Sequence, residues 1–162
     1  PKQGASVLGV SFGGICIAEL AKFYDFRKTI LISSAKTSAE LPAILGFSNY
    51  ISLEKILNKN TITKIPTKII SWLFGLKNQQ ETALFYDMLG SADPAFVPWA
   101  VEQFTHWKNT NIPVSCLHIH GEKDRLIPLK NVDYTVKIKG GGHFMVYNHA
   151  AEISYIIRNF LK

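Results

Sequence analysis

Cysteine and long apolar segments are both scarce in this sequence, and each scarcity excludes a class of protein. Only two cysteines occur among the 162 residues, Cys16 and Cys116. Both lie inside apolar stretches and are interpreted as buried free thiols, which excludes a disulfide framework. No apolar run reaches the roughly 18 residues of a membrane-spanning helix, and the first residues lack the basic-then-apolar pattern of a signal peptide. We therefore expect a cytoplasmic protein with no membrane span.

Blocks of like charge are also absent. The formal net charge is +6, but the lysines are scattered through the middle of the chain. Basic residues do not alternate with aromatic ones in the manner of RNA-binding surfaces. Because a mildly basic surface is more often a solubility device than a binding site, we expect no nucleic acid partner.

Metal-ligand spacings are missing as well. His118 and His120 alternate onto one face of a predicted strand, but no third ligand stands at a suitable distance along the chain. Both are interpreted as structural histidines, and His106 and His149 as helix-surface residues. The sequence thus predicts no metal site and no cofactor.

The chain does contain enough apolar residues to form one domain with a hydrophobic core. Hydrophobic residues make up 47% of the sequence and charged residues 19%, with no low-complexity tract or repeat. A domain of this length buries roughly 70% of the surface that its unfolded chain exposes. This composition is typical of a folded globular domain and excludes a disordered one.

The segment Gly9–Gly14, GVSFGG, places a serine between a predicted strand and a predicted helix. The strand is the apolar run Ala5–Val10, and apolar residues recur at helical spacing over Ile15–Phe23. A serine on such a turn has a strained backbone that pushes its hydroxyl clear of the chain, and flanking glycines remove side chains that would clash. The Phe12 amide at the start of the helix would favour a developing oxyanion. We interpret the segment as a nucleophile elbow with Ser11 at its turn; an ordinary glycine-rich turn is the alternative.

Beyond the elbow, strands and helices follow one another in the order of a mostly parallel α/β sheet. The later predicted strands are Lys28–Ser34, Pro113–His120 and Asp133–Ile138, and the last helix is Met145–Leu161. Between the first two of these strands, helices are predicted over Ser48–Asn58, Ile62–Phe74, Gln79–Gly90 and Pro94–Trp107. Asp93 is expected to cap the last of these helices, with Pro94 at its first position.

The predicted helical region also holds most of the aromatic side chains. They include Trp72, Phe74, Phe85, Tyr86, Phe96, Trp99, Phe104 and Trp107. These residues form either a lid over an apolar substrate pocket or ordinary helix packing, and packing is preferred for any single one. The nearby lysines Lys55, Lys59, Lys64 and Lys68 are interpreted as a solvated face, with a partner surface as the alternative.

Two polar residues after later strands complete a candidate set with Ser11. Asp124 follows the third predicted strand, and His143 follows the fourth after three glycines. Sites in parallel sheets form outside the carboxyl ends of the strands, so the three side chains are expected at one edge. A serine nucleophile needs a histidine to accept its proton and a carboxylate to orient the imidazole. Glu122 and Asp133 remain alternative acids.

With these segments in the order serine, aspartate, histidine, the chain resembles the α/β-hydrolase superfamily. The resemblance rests on GVSFGG at 9–14, HGEKDRLIP at 120–128 and GGGHF at 140–144, and it spans the whole chain. It implies an α/β fold with a mostly parallel sheet and flanking helices, incomplete at the N-terminus and carrying a helical cap insertion. Residues 1–35 and 110–162 would form the hydrolase core, and residues 36–109 the cap.

The resemblance also implies a chemistry. Ser11 would be the nucleophile, His143 the general base and Asp124 the acid that orients the imidazole, with the Phe12 amide in the oxyanion hole. A serine hydrolase of this kind cleaves a carboxylester, thioester or C–C bond of a small-molecule acyl substrate through an acyl-enzyme. An acyltransferase on the same residues and a non-catalytic, hydrolase-like binding module are the alternatives.

The sequence departs from the superfamily before the elbow. Members carry several strands there and a loop that donates the second oxyanion N–H, and neither precedes residues 9–14 here. The strand at residues 5–10 would then have an uncovered apolar edge, which is a liability in an isolated domain. We therefore expect either that the chain is the C-terminal part of a longer hydrolase or that a second chain covers this edge.

Overall fold

Four parallel strands form a single sheet in the part of the chain that the computed structural model describes, residues 1–42 and 65–162. The strands are β1 (Ser6–Val10), β2 (Lys28–Ile32), β3 (Cys116–Gly121) and β4 (Val136–Ile138). Their spatial order is β1-β2-β3-β4, and every neighbouring pair is parallel. Because all carboxyl ends of a parallel sheet point the same way, the loops after β1, β3 and β4 meet along one edge.

Helices connect and cover these strands. They are α1 (Phe12–Leu20), α2 (Thr67–Phe74), α3 (Gln79–Ser91), α4 (Phe96–His106), α5 (Met145–Asn148) and α6 (Ala150–Leu161), with 3₁₀ turns at Ser38–Glu40 and Leu129–Asn131. The helices α2, α3 and α4 stand between β2 and β3. Among the described helices, none has both the length and the apolar character that crossing a bilayer would require.

The apolar core lies on both faces of the sheet. In β2, Ile30 and Ile32 face the side covered by α6, whereas Leu31 packs with Ile17 of α1 on the other side. Side chains of a strand alternate between faces, so a run of apolar residues is buried throughout only when both faces are covered. Ile153 of α6 is 2% exposed, which completes the three layers of helix, sheet and helix.

The predicted strands are confirmed with shorter bounds at several ends. Ser33 and Ser115 have φ values of 47° and 48°, so β2 ends at Ile32 and β3 begins after Ser115. A positive φ cannot continue the extended backbone of a strand. The predicted helix Ser48–Asn58, the start of Ile62–Phe74, and the lysines Lys55, Lys59 and Lys64 lie outside the described residues.

Two helix predictions are wrong in detail. The final helix is interrupted at His149, whose φ of −123° and ψ of 27° separate α5 from α6, so His149 is a junction residue and not a helix-surface residue. Its ring lies between Lys77 Nζ, at 3.1 Å, and Glu152. The fourth predicted helix begins at Phe96, because Asp93 Oδ1 accepts the Ala95 amide and closes a turn that precedes the helix.

Candidate active site

Ser11 lies on a strained turn between β1 and α1. Its φ is 52° and its ψ is −122°, a combination that a residue with a Cβ rarely adopts and that costs on the order of 1–3 kcal/mol. The surrounding structure holds this conformation from both sides. The Ser11 amide donates to Ile32 O at 2.9 Å, and the Ser11 carbonyl accepts the Gly14 amide and the Ser34 hydroxyl.

Two glycines of the turn are required by close approach, and a third is not. A Cβ on Gly9 would lie 2.5 Å from the Gly13 carbonyl oxygen, and one on Gly14 would overlap Ser34 Oγ. A Cβ on Gly13 would meet nothing within 4 Å. The expectation that the flanking glycines prevent clashes is therefore confirmed for Gly9 and Gly14 and wrong for Gly13.

The side chains of Ser11, His143 and Asp124 form one chain of hydrogen bonds. Ser11 Oγ lies 2.8 Å from His143 Nε2, and His143 Nδ1 lies 2.8 Å from Asp124 Oδ2. If Nδ1 carries the ring proton, His143 donates to Asp124 and its Nε2 accepts the serine O–H. Asp124 is 5% exposed and His143 is 7% exposed, so solvent competes little for these bonds.

The Asp124 carboxylate is fixed by its own loop. Its Oδ1 accepts the amides of Leu126 at 3.0 Å and Ile127 at 2.9 Å, which leaves Oδ2 for His143. Burial alone would raise the pKa of Asp124, but the hydrogen bond from His143, the His143 charge and the Ile127 amide together lower it. Asp124 is therefore a carboxylate at neutral pH and can stabilise an imidazolium beside it.

The alternative acids do not reach His143. Glu122 accepts the Gly140 amide at 2.9 Å through Oε2 and also faces Lys137. The exposed Asp133 carboxylate lies 2.7 Å from Lys36 Nζ. Of the three acidic residues considered from the sequence, Asp124 is the one that the structure brings to the histidine.

His118 and His120 are buried beneath this site. Both are fully buried, and their ring nitrogens face each other at 3.4 Å. No group of three or more His, Cys, Asp or Glu side chains suited to a metal occurs in residues 1–42 and 65–162. His106 lies exposed on α4, where its Nδ1 faces the Glu102 carbonyl, as the helix-surface prediction had it.

The Phe12 amide is the first N–H of α1. Among the described residues it donates to no backbone or side-chain acceptor, so it is available at the helix N-terminus beside Ser11. The Phe12 ring packs edge-on against Phe96 at 6.2 Å and Trp99 at 5.6 Å, measured between ring centroids. Helix α4 thereby contacts the residue that follows the serine.

Helix α2 contacts the histidine loop, which the sequence did not predict. Phe74 lies edge-on to the His143 ring at 5.8 Å, and its carbonyl accepts the Phe144 amide at 2.9 Å. Gly75 ends α2 with a φ of 72°, and a Cβ there would lie 2.9 Å from Gly142 Cα. The glycines at positions 75 and 142 are the signal of this contact in the sequence, and they can be recognised as such only once the fold is known.

Two cavities are lined by chain neighbours of the site residues, and neither is lined by Ser11, Asp124 or His143 themselves. One of about 520 Å³ opens between α1 and α4 and is lined by Phe12, Ile15, Leu20, Trp99 and Trp107, among others. The other, of about 280 Å³, is lined by Gly75, Gly142 and the side chains Lys77, Lys123 and Arg125. The first adjoins the serine turn and the second adjoins the histidine loop.

Comparison with solved structures gives many close matches in fold at low sequence identity. A bromoperoxidase from Bacillus anthracis matches with a TM-score of 0.67 at 18% identity, over 99% of this chain and 68% of that structure. An esterase from Exiguobacterium antarcticum matches with a TM-score of 0.70 at 13% identity, again over 99% and 68%. An α/β-hydrolase enzyme from a deep-sea metagenome library matches with a TM-score of 0.62 at 16% identity, over 97% and 64%.

Sequence comparisons add nothing to this likeness, since no protein-family model and no curated protein matches the chain. The chain spans about two thirds of the length of the structures that it resembles. The TM-scores establish the fold, and sequence identities this low leave the reaction open. The parallel sheet, the helices on both its faces and these matches together show that the chain has the α/β-hydrolase fold and covers part of it.

Proposed function

We propose that the protein is a serine hydrolase that cleaves an ester-like bond of a small-molecule acyl substrate through an acyl-enzyme. The observation that carries the proposal is the unbroken chain from Ser11 Oγ through His143 to Asp124, with 2.8 Å at both steps. A second support is the strained φ/ψ combination of Ser11, because residues held in such conformations cluster at active sites.

In the proposed reaction, Ser11 Oγ attacks the carbonyl carbon while its proton passes to His143 Nε2. The negative charge that develops on the carbonyl oxygen is stabilised by the Phe12 N–H and the N-terminus of α1. Asp124 stabilises the imidazolium, which then returns the proton to the leaving group as the bond to that group breaks. A water molecule, deprotonated by His143, next attacks the acyl-enzyme and releases the acid and the free serine.

Residues 36–109 serve in this proposal as a cap over residues 1–35 and 110–162. Two helices of this segment contact residues of the candidate site. Trp99 of α4 packs against Phe12, and Phe74 of α2 packs against the His143 ring. The cavity of about 520 Å³ beside Phe12 is the candidate space for the apolar part of the substrate. The cap would then choose the substrate, since the reacting residues are common to many chemistries.

This proposal also treats the sheet as incomplete beyond the edge of β1. Leu8 is 47% exposed on that strand, and an apolar edge strand attracts further pairing. We propose that strands from elsewhere in the same protein, or from a second chain, cover this edge and supply the second oxyanion donor. Loss of one such donor costs on the order of a hundredfold to a thousandfold in turnover.

The alternatives differ in their requirements. An acyltransferase would use the same residues and replace water by another acceptor. A binding module would need neither a strained serine nor a histidine within hydrogen-bonding distance of it, so the geometry at Ser11 favours catalysis.

The test is covalent labelling by a fluorophosphonate, which reacts with an activated serine, followed by intact-mass measurement. We expect one adduct on the protein, none on Ser11→Ala, and unchanged labelling of Ser91→Ala, since Ser91 is an exposed serine that donates to Asp87 O on α3. His143→Gln should lose labelling by a hundredfold or more because the proton acceptor is gone. A folded protein that carries no adduct, or a Ser11→Ala protein that still labels, would refute the proposal.

A further inference from the structure

A second path of buried polar contacts joins the serine turn to the acid loop beneath the reacting residues. It runs from the Ser11 carbonyl through Ser34, His118 and His120 to the loop that holds Asp124. Together with the Ser11–His143–Asp124 chain it closes a ring. The proposed reaction uses none of the three intermediate side chains, although all are fully buried.

At the acid end, His120 holds the loop and not the carboxylate directly. Its Nε2 lies 2.8 Å from the Ile127 carbonyl, whereas the distance to Asp124 Oδ2 is 3.5 Å. The Ile127 amide in turn donates to Asp124 Oδ1. His120 therefore fixes Ile127, and Ile127 fixes the carboxylate that receives His143.

At the serine end, His118 and Ser34 continue the path. His118 Nε2 lies 3.0 Å from the Ser34 carbonyl, and Ser34 Oγ donates to the Ser11 carbonyl at 2.7 Å. If both rings carry their proton on Nε2, His120 Nδ1 faces the His118 N–H at 3.4 Å. His118 Nδ1 is then an acceptor, and it is buried with no partner among the described residues.

The charge state of His120 matters because Asp124 lies beside it. Burial lowers the pKa of His120, against the opposing effects of the Ile127 hydrogen bond and the Asp124 charge. The titratable groups that face it are the His118 ring, Asp124, His143 and, more remotely, Glu40. A neutral His120 leaves the negative charge of Asp124 to the imidazolium that forms on His143 during the reaction.

We propose that His120, supported by His118, is a positioning residue that holds the Asp124 loop in register with Ser11. The inference rests on the proposed function, since it assigns a role in the same reaction. It predicts that the N–H at the Nε2 position, and not merely a side chain of suitable volume, is what the site requires.

The test compares His120→Gln with His120→Asn in the full chain. A glutamine can place an amide N–H near the position of Nε2 and keep the bond to the Ile127 carbonyl, whereas the shorter asparagine cannot reach it. We expect the rate of fluorophosphonate labelling to stay within about threefold in His120→Gln and to fall about tenfold to a hundredfold in His120→Asn, because a misplaced partner slows reaction by this order.

A second readout does not depend on activity. The proton on His143 Nδ1, shared with Asp124, gives a proton NMR signal far downfield when the bond is held and is lost to exchange when it is loose. We expect the signal in the original protein and in His120→Gln, and a weakened or absent signal in His120→Asn. If the NMR pattern appears but nothing labels, the proposed function fails while the positioning role stands.

Other outcomes would overturn the role. Equal labelling rates in the two variants, whether both high or both low, would mean that the bond to Ile127 does not position Asp124. Loss of cooperative unfolding in both variants would make His120 a residue of the structural core alone.

Discussion

Two buried imidazoles so close together tie the stability of this protein to pH. Burial, together with the neighbouring His120 and Lys36, lowers the pKa of His118 to about 4, against the opposing effect of its hydrogen bond to the Ser34 carbonyl. Neither ring can accept a proton without burying a positive charge away from water. This arrangement lowers the stability of the folded protein at acid pH, and the loss can be measured.

We predict that the free energy of unfolding falls as the pH drops from about 6.5 towards 4. In that window the unfolded chain binds a proton at His118 that the folded chain does not, so acid favours unfolding and the stability is complete only above about pH 6.5. The full loss for His118 is on the order of 3 kcal/mol. Urea unfolding at pH 7, 6, 5 and 4.5 measures it.

His118→Gln should reduce this dependence to the part that comes from His120, because glutamine does not titrate. His106→Gln, which replaces an exposed histidine of α4, is the control and should keep the original slope. An equal loss of stability with acid in His118→Gln and in the original protein would contradict the prediction.

At the scale of elements, β1 and α1 cross so closely that one position admits no side chain. A Cβ on Gly9 would stand 2.5 Å from the Gly13 carbonyl oxygen, which is backbone and cannot rotate away. We predict that Gly9→Ala lowers the free energy of unfolding by about 1–3 kcal/mol through overpacking. Thermal or urea unfolding is the measurement.

Gly13→Ala is the matched control, four residues away on the same turn. A Cβ there meets nothing within 4 Å and the residue lies inside α1, where alanine is favoured over glycine by about 0.5–1 kcal/mol. We expect Gly13→Ala to unfold at the same or a higher denaturant concentration than the original. A similar loss in both variants would mean that the two elements are not locked together at Gly9.

The elements that could be predicted from the sequence are those with local causes. The strands β1 to β4 follow from short apolar runs, and the turn at Ser11 from its glycines, so the α/β order and the fold were accessible. The break at His149 was not, because no proline or glycine stands at that position to signal it. The start of α4 at Phe96 was missed because Asp93 caps a turn instead of the helix itself.

The candidate site could be predicted from the sequence for the same reason, whereas the buried contacts that support it could not. Ser11, Asp124 and His143 each follow a strand, and parallel strands bring such positions to one edge. The path through Ser34, His118 and His120 consists of contacts across three segments, and no spacing in the sequence signals it. The roles of all these residues stay predictions until the labelling is done.

At the scale of the whole molecule, the sheet joins residues that are remote along the chain. Ser11 and His143 are 132 positions apart, yet their side chains are hydrogen-bonded. Any loosening of the sheet between β1 and β4 would therefore move Ser11 away from His143. Among the described residues no strand pairs with the outer edge of β1, and the Ser11 turn continues directly from that strand.

The amides of β1 show whether this edge is covered. The Ser11 amide donates towards β2, and amide directions alternate along a strand, so Val7 and Gly9 point to β2 while Leu8 and Val10 point to the open edge. We predict that hydrogen exchange in the complete protein protects Leu8 and Val10 as well as Val7 and Gly9, because added strands pair with them. The Leu31 amide, inside the sheet on β2, is the internal reference for full protection.

Protection that is lost on dilution would identify a second chain as the partner, and protection independent of concentration would identify strands of the same protein. Rapid exchange at Leu8 and Val10 in the complete protein would show that β1 is a free edge and would contradict the proposal that further strands cover it.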